Sequence, residues 1–253
     1  MRDFEGKVDI VTGASRRIGA APALEFGRRG ASVAITYLTN KERAEKVGAG
    51  IEKAGGKALV LRTDVRDRAA IRAMVDRTAE AFGGVDILVN NARIIHPRVS
   101  FLEMDWDRDM WPMLEVHLAA PFHVCQAAVP HMLKRGGGAI LNVLSASFRR
   151  GEGELHAYAA AKSALRGFTL TLANDLGPQG IRVNSVSPGV IETPEFKTRR
   201  TEEQRQKVVM NTPLRRIGSP EDVAATIAFL CSGQAGYITG EDIVIAGGKD
   251  NPF

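Results

Sequence analysis

Val8-Asp-Ile-Val-Thr-Gly13-Ala-Ser-Arg-Arg-Ile-Gly19 is an apolar run that ends in a glycine-bounded turn, with a helix-patterned segment directly after it. A strand that stops in such a turn and opens a helix aims backbone N–H groups, and the positive end of the helix dipole, at an anion lying across the turn. Gly13 permits the tight turn, and Gly19 allows the helix to close on the sheet. The glycine pair alone fits an ordinary strand-to-helix connection as readily as a phosphate loop; the strand–turn–helix setting is what favours the loop. Arg17 stands where such a loop most often has a further glycine.

Working outward, residues 8–12, 32–37, 58–62, 85–90, 139–144, 182–186 and 243–245 read as strands. Residues 18–29, 41–54, 68–82, 111–133, 157–176 and 220–230 read as helices. Strands alternating with helices predict a parallel sheet, and right-handed crossovers make it an α/β, doubly wound (Rossmann-type) sheet with helices on both faces. The punctuation agrees, because Gly30, Gly55, Gly83 and Gly136 each follow a helix. Ser219-Pro-Glu-Asp222 carries a cap, a first-turn proline and acids at a helix start. No repeat or linker divides the chain, so residues 1–253 are expected to form one domain, with a substrate lid around 190–213. Two positions look costly. Asp9 lies inside the first strand and needs a donor or a solvent opening. Pro22 costs little in a first helical turn and about 3 kcal/mol deeper in the helix.

Composition narrows the function classes. The net charge is +5, but Lys and Arg are scattered as short pairs with no basic tract, so no nucleic-acid partner is expected. No apolar run approaches a membrane span, and Met1–Lys7 is too polar for a signal peptide. Cys125 and Cys231 read as reduced core residues of a cytoplasmic protein, and no ligand cluster supports a metal.

Charge also bears on the ligand of the turn. A ribose 2′-hydroxyl is usually held by an acid at the end of the second strand. Here the segment Tyr37-Leu-Thr39-Asn40-Lys41 has no acid, and Arg16 stands in the first turn. A cation in place of the acid suits a 2′-phosphate, so NADP(H) is preferred, with NAD(H) as the alternative. Thr39, Asn40 and Lys41 add donors. Further along, Tyr158-Ala-Ala-Ala-Lys162 puts a phenol and an ammonium on one helix face. The ammonium is expected to lower the phenol pKa and make Tyr158 an acid/base for a carbonyl or alcohol. Ser145 ends the preceding strand, where active groups of open α/β sheets collect.

Together these segments resemble the short-chain dehydrogenase/reductases over essentially the whole chain. The resemblance rests on Thr12-Gly-Ala-Ser-Arg-Arg-Ile-Gly19, Asp64-Val65, Asn90-Asn-Ala92, Ser145, Tyr158-x-x-x-Lys162 and Asn184-Ser-Val-Ser-Pro-Gly189 with Thr193. It implies hydride transfer between a nicotinamide and a small-molecule carbonyl/alcohol substrate, with Tyr158 as acid/base, Ser145 orienting the oxygen and Lys162 also binding the nicotinamide ribose. Gly13, Ser15, Arg16, Arg17, Ile18 and Gly19 would hold the pyrophosphate and 2′-phosphate, with Tyr37, Thr39 and Asn40 beside them. Asp64 and Val65 would hold the adenine, Asn91 and Ala92 the middle of the coenzyme, and Pro188, Gly189, Val190 and Thr193 the nicotinamide. A homotetramer is implied as well.

The chain departs from the family pattern at Arg17, at Arg93 (usually glycine) and at His117 (usually an asparagine that holds a proton-relay water). Arg17 either blocks the pyrophosphate or adds a guanidinium contact, as in pteridine reductases. Arg93 narrows the pocket, meets an acidic group or turns to solvent. His117 is given a supporting catalytic role. The overall pattern is closest to 3-oxoacyl-carrier-protein reductase-like members. Substrate identity is expected to depend on residues 93–101, 147–155 and 190–213. Arg149, Arg150, Arg199 and Arg200 either point to an acidic or carrier-bound substrate or are plain surface charges. A pteridine reductase-like enzyme and a catalytically weak dinucleotide-binding sensor or subunit are the alternatives.

Overall fold

The computed structural model describes residues 2–95, 98–193, 196, 198 and 200–249. Seven strands, β1 Val8–Val11, β2 Ser32–Tyr37, β3 Lys57–Arg62, β4 Ile87–Asn90, β5 Gly138–Val143, β6 Ile181–Pro188 and β7 Asp242–Ile245, form one sheet in the order β3-β2-β1-β4-β5-β6-β7. Every pairing is parallel, with Val11 opposite both Ile35 and Val89. The order reverses between β1 and β4, which leaves a crevice at their carboxyl ends.

Helices α1 Arg17–Arg28, α2 Lys41–Lys53 and α8 Pro220–Cys231 cover one face, burying Phe26, Ile51 and Ile227 against Val11, Val33 and Val89. On the other face lie α3 Arg68–Phe82, α5 Ala120–Lys134 and α6 His156–Leu176, packing Met74, Met132 and Leu176 onto Ile10, Leu88 and Ile140. Neighbouring strand residues thus feed opposite layers, as the pleat requires. Cys125 and Cys231 belong to different layers, so the sheet separates them and they cannot pair. Two further helices among the described residues are α4 Trp111–Leu114 and α7 Glu202–Met210.

Several expectations change here. Strand and helix ends shift by one or two residues. The helix expected over 111–133 is not uniform: π-wound stretches at Trp106–Met110 and Glu115–Ala119 flank α4, with the Ala120 N–H reaching back to the Glu115 carbonyl. Pro121 follows at once and has no N–H for the ordinary ladder, which accounts for the slip. Pro22 is interior to α1 and buried, so it takes the costly position. Asp9 is fully buried, and neither of its oxygens has a hydrogen-bond partner among the described residues. Burial, then the nearby Asp86 carboxylate, pushes Asp9 well above the ordinary carboxylate range, so it stays protonated instead of finding a donor. The segment expected to be a lid is described in part: α7 begins with a Thr201–Gln204 capping box, Arg205 pairs with Glu192 at 2.8 Å, and residues 194, 195, 197 and 199 lie outside the described residues.

Candidate active site

The carboxyl ends of β1 to β6 open onto one cavity of about 1000 Å³. Gly13, Ser15, Arg16, Arg17, Ile18 and Gly19 line it from the first turn. Gly13 has φ 64° and donates its N–H to Thr36 Oγ1 at 3.0 Å. A side chain at Gly13 would stand 2.8 Å from the Ala92 Cα, and one at Gly19 would run into the Asn91 amide. Both glycines are therefore required by the neighbouring β4 end. That junction is tied down further: Thr12 Oγ1 accepts the N–H groups of Asn91 and Ala92 at 3.0 Å, and Asn91 Nδ2 donates to the Thr12 and Gly13 carbonyls at 2.9 and 3.2 Å. Arg17 adopts φ 57°, the left-handed region where glycine is at ease and other residues are strained. Arg16 stands at the N-cap of α1 and its side chain does not cap the helix, so the first-turn amides keep their donor capacity beside the cavity.

Tyr37, Thr39 and Asn40 line the second-strand end. The Asn40 side-chain Oδ1 accepts the Arg43 N–H at 2.9 Å and so caps α2. Lys41 pairs with Glu45 at 3.4 Å and does not line the cavity, so the donor expected there is absent from the wall. Glu42 pairs with Lys46 at 2.6 Å. Asp64 is the one carboxylate on the wall among the described residues, with Val65 beside it. It accepts from Arg66 N, Nε and Nη2 at 3.0, 2.9 and 2.6 Å, and this Arg66 bond holds its carboxyl below the usual range.

At the other end, Ser145 opens a 3-10 turn directly after β5, while Tyr158 and Lys162 lie one turn apart on α6; all three line the cavity. Ser145 hydrogen-bonds Tyr158, and its Oγ lies 2.9 Å from Ser147 Oγ. Lys162 Nζ donates to the Val143 carbonyl at 2.7 Å and sits 5.8 Å from the Tyr158 ring centre. The expectation of a lowered phenol pKa is overturned. Burial raises Tyr158, and the Ser145 bond and the Arg93 charge only oppose that rise. Burial, then the Arg93 guanidinium, brings Lys162 down to about 7. Arg93 lines the cavity with Ile94 and Ile95.

Pro188, Gly189, Val190 and Thr193 form the facing wall, where the Gly189 N–H donates to the Ile245 carbonyl at 2.9 Å. Asn91 and Ala92 line the middle. His117 is buried and does not line the cavity; its ring meets the Tyr158 ring edge-on at 5.4 Å. Arg149 is not directed at a substrate, because it pairs with Asp242 at 2.6 Å. Arg150 pairs with Glu152 at 3.6 Å. Arg200 lines the cavity with its guanidinium over the Phe196 ring, and Arg199 lies outside the described residues. The sequence reading missed Thr12 and Thr36, whose hydroxyls brace the first turn. It also missed the Val143 carbonyl, a backbone group that leaves no signal in side-chain identity.

Comparison with known proteins agrees with this geometry. The family profile described as Enoyl-(Acyl carrier protein) reductase matches residues 13–250. The 3-oxoacyl-(acyl-carrier-protein) reductase FabG of Thermotoga maritima is 39% identical over 247 residues, 97% of this chain and 98% of that one. The 7α-hydroxysteroid dehydrogenase of Escherichia coli K12 is 36% identical over 245 residues, 97% and 94% of the two chains. Among solved structures, a short-chain dehydrogenase/reductase of Serratia marcescens superposes with a TM-score of 0.91 at 38% identity, covering 98% of this chain and 100% of that one. A 7α-hydroxysteroid dehydrogenase complexed with NADH and 7-oxo glycochenodeoxycholic acid gives 0.92 at 35%, covering 99% and 97%. The sheet, the crevice and the Ser–Tyr–Lys set define a Rossmann-type oxidoreductase, and the chain belongs to the short-chain dehydrogenase/reductase family. Within that family it resembles the FabG members, which makes it an enzyme acting on CH–OH or C=O groups.

Proposed function

We propose that this oxidoreductase is an NADP(H)-preferring carbonyl reductase for a ketone with an apolar body and an anionic end. The observation that carries the reading is the convergence of the Ser145–Tyr158–Lys162 set and the cation-lined first turn on one cavity. The residues fit a dinucleotide: donor amides at the α1 start, Arg16 and Arg17 on the wall, and no carboxylate at the end of β2 to repel a 2′-phosphate. Arg16 would take the 2′-phosphate, Arg17 and the α1 amides the pyrophosphate, and Asp64 and Val65 the adenine. Lys162 would take the nicotinamide ribose, between Asn91 and Ala92 on one side and Pro188, Gly189, Val190 and Thr193 on the other.

When bound, the nicotinamide supplies the hydride. Tyr158 holds a proton at Oη and passes it to the substrate oxygen, which Ser145 orients with its hydroxyl; Ser147 can donate to Ser145 Oγ and leave the Ser145 proton for the substrate. Lys162, fixed by the Val143 carbonyl, stands one helical turn from the phenolate left behind, the Arg93 charge favours that phenolate, and His117 holds the Tyr158 ring in place. Arg93 and Arg200 stand at the substrate end beside Ile94, Ile95 and Phe196, an arrangement that suits an amphipathic anion.

The test is a panel of oxoacyl thioesters, oxo-acids, oxosteroid acids, neutral ketones and pterins, followed by oxidation of NADPH and NADH. The reading predicts turnover of anionic ketones, tighter binding of NADPH than NADH, and loss of most of that preference in Arg16→Ala. Equal affinity for both coenzymes, or reduction of pterins alone, would contradict it.

A further inference from the structure

The geometry points to Asp242 and Arg149 as positioning residues that tie the turn after β5 to the cavity end of β6; this rests on the oxidoreductase reading above. Asp242 opens β7, the edge strand, and does not line the cavity. Its side chain is nevertheless 2% exposed and fully engaged. Oδ2 accepts from Arg149 Nη2 at 2.6 Å, Oδ1 from Ser185 Oγ at 3.1 Å, and Ser187 Oγ lies 2.9 Å from both oxygens.

These partners come from two places. Ser185 and Ser187 alternate on β6, so they share one face of the sheet, and both are buried. The strand ends at Pro188 and runs directly into Gly189, Val190 and Ile191 on one wall of the cavity. Arg149 lies in the 3-10 turn Ala146–Arg150, which Ser145 opens just past the end of β5, the strand paired with β6. A single carboxylate therefore spans the Ser145 turn and the Gly189 end of β6.

Stability alone is a weak reason for such a pair. An ion pair on a buried carboxylate is often no more stable than apolar residues of the same shape, and what it adds is defined geometry where both carboxylate oxygens are matched, as those of Asp242 are. Defined geometry is what Ser145 needs, because its hydroxyl must sit within hydrogen-bond reach of both Tyr158 and the reacting oxygen. A displacement of about 1 Å at a reacting group can cost on the order of 100-fold in rate. The internal partner also explains why Arg149 takes no part in the substrate end, leaving Arg93 and Arg200 there.

The test compares the full-length chain with Arg149→Met, Arg149→Lys, Asp242→Asn and the double variant Arg149→Met/Asp242→Asn. Three quantities are read: kcat and KM with NADPH and the best ketone of the panel, the NADPH dissociation constant by fluorescence, and hydrogen–deuterium exchange in peptides covering 145–150 and 188–193. We expect kcat to fall about 10-fold in each of Arg149→Met and Asp242→Asn, with coenzyme affinity changing much less. The double variant should be no slower than the slower single, Arg149→Lys should recover most of the loss, and exchange should rise in both segments. Unchanged kcat in a folded Arg149→Met protein, additive losses in the double, or faster exchange confined to one segment would overturn the proposal. If Asp242→Asn does not fold because it strands a part-buried guanidinium, Arg149→Met and the double variant still decide. If the parent reduces no carbonyl, the oxidoreductase reading fails, while the coupled exchange still separates a hub from a local staple.

Discussion

Arg93 adds a second cation to a site in which Tyr158 and Lys162 are both buried, and its charge acts on each of them. It favours phenolate over phenol and neutral amine over ammonium, opposing the rise of the first and adding to the fall of the second. Removing it raises both values. In Arg93→Ala the acid limb of the alcohol-oxidation profile, which needs the phenolate, should move to higher pH. Ketone reduction, which needs the phenol, should persist to higher pH. A pH series of kcat/KM in both directions checks this, and coincident profiles for parent and variant would contradict it. Arg17 carries a different tension, since its left-handed backbone costs a non-glycine residue about 1 kcal/mol. Arg17→Gly should therefore gain about that much stability in denaturant titration. It should also lose about tenfold in coenzyme affinity if the guanidinium meets the pyrophosphate. A gain in both would mean that the side chain is only tolerated. Arginine in a glycine place was legible in the sequence as an oddity; the backbone conformation that makes it costly was not, because φ is set by how the turn closes on Ala92 and Asn91.

At the scale of elements, α1 holds Pro22 where the N–H of a sixth helical residue would reach the Ile18 carbonyl. Pro22→Ala restores that bond and should raise stability by up to about 3 kcal/mol, visible as a higher melting temperature. No gain would mean that the packing of the buried proline ring in α1 offsets the missing bond. The elements were largely legible because their signals are local: the short apolar runs of the strands, the glycines that follow the helices and the Ser219–Asp222 helix start. The winding of 106–119 was not legible, since a π-turn and an α-turn share nearly the same apolar spacing. The Tyr158–Lys162 pair was legible from its spacing, but the balance of its pKa values was not. Burial depends on everything that packs over α6, and it outweighed the neighbouring charge. The Arg149–Asp242 contact joins residues far apart in sequence, and no pattern in either segment announces it.

For the molecule as a whole, Asp9 makes stability depend on pH. The folded chain keeps Asp9 protonated above the ordinary carboxylate value of 3.8, while the unfolded chain ionises it, so unfolding releases a proton across that window. Stability therefore falls as pH rises above about 4, by about 1.4 kcal/mol per pH unit for this one group. Asp9→Asn lacks that slope. Its stability relative to the parent should increase steadily with pH in denaturant titrations, and a constant difference would contradict the protonated assignment. Exposed Phe122, Leu133 and Leu170 on α5 and α6 suit burial against other copies of the chain. We expect a mass near four chains by light scattering; a monomer at micromolar concentration would refute that. The central claim is that Tyr158 passes the proton beside a bound nicotinamide, and Tyr158→Phe tests it most directly when NADPH affinity and turnover of the best panel ketone are measured on one preparation. The account predicts NADPH affinity within about twofold of the parent and turnover lower by at least about 100-fold; undiminished turnover, or failure of the parent itself to bind NADPH, would contradict it.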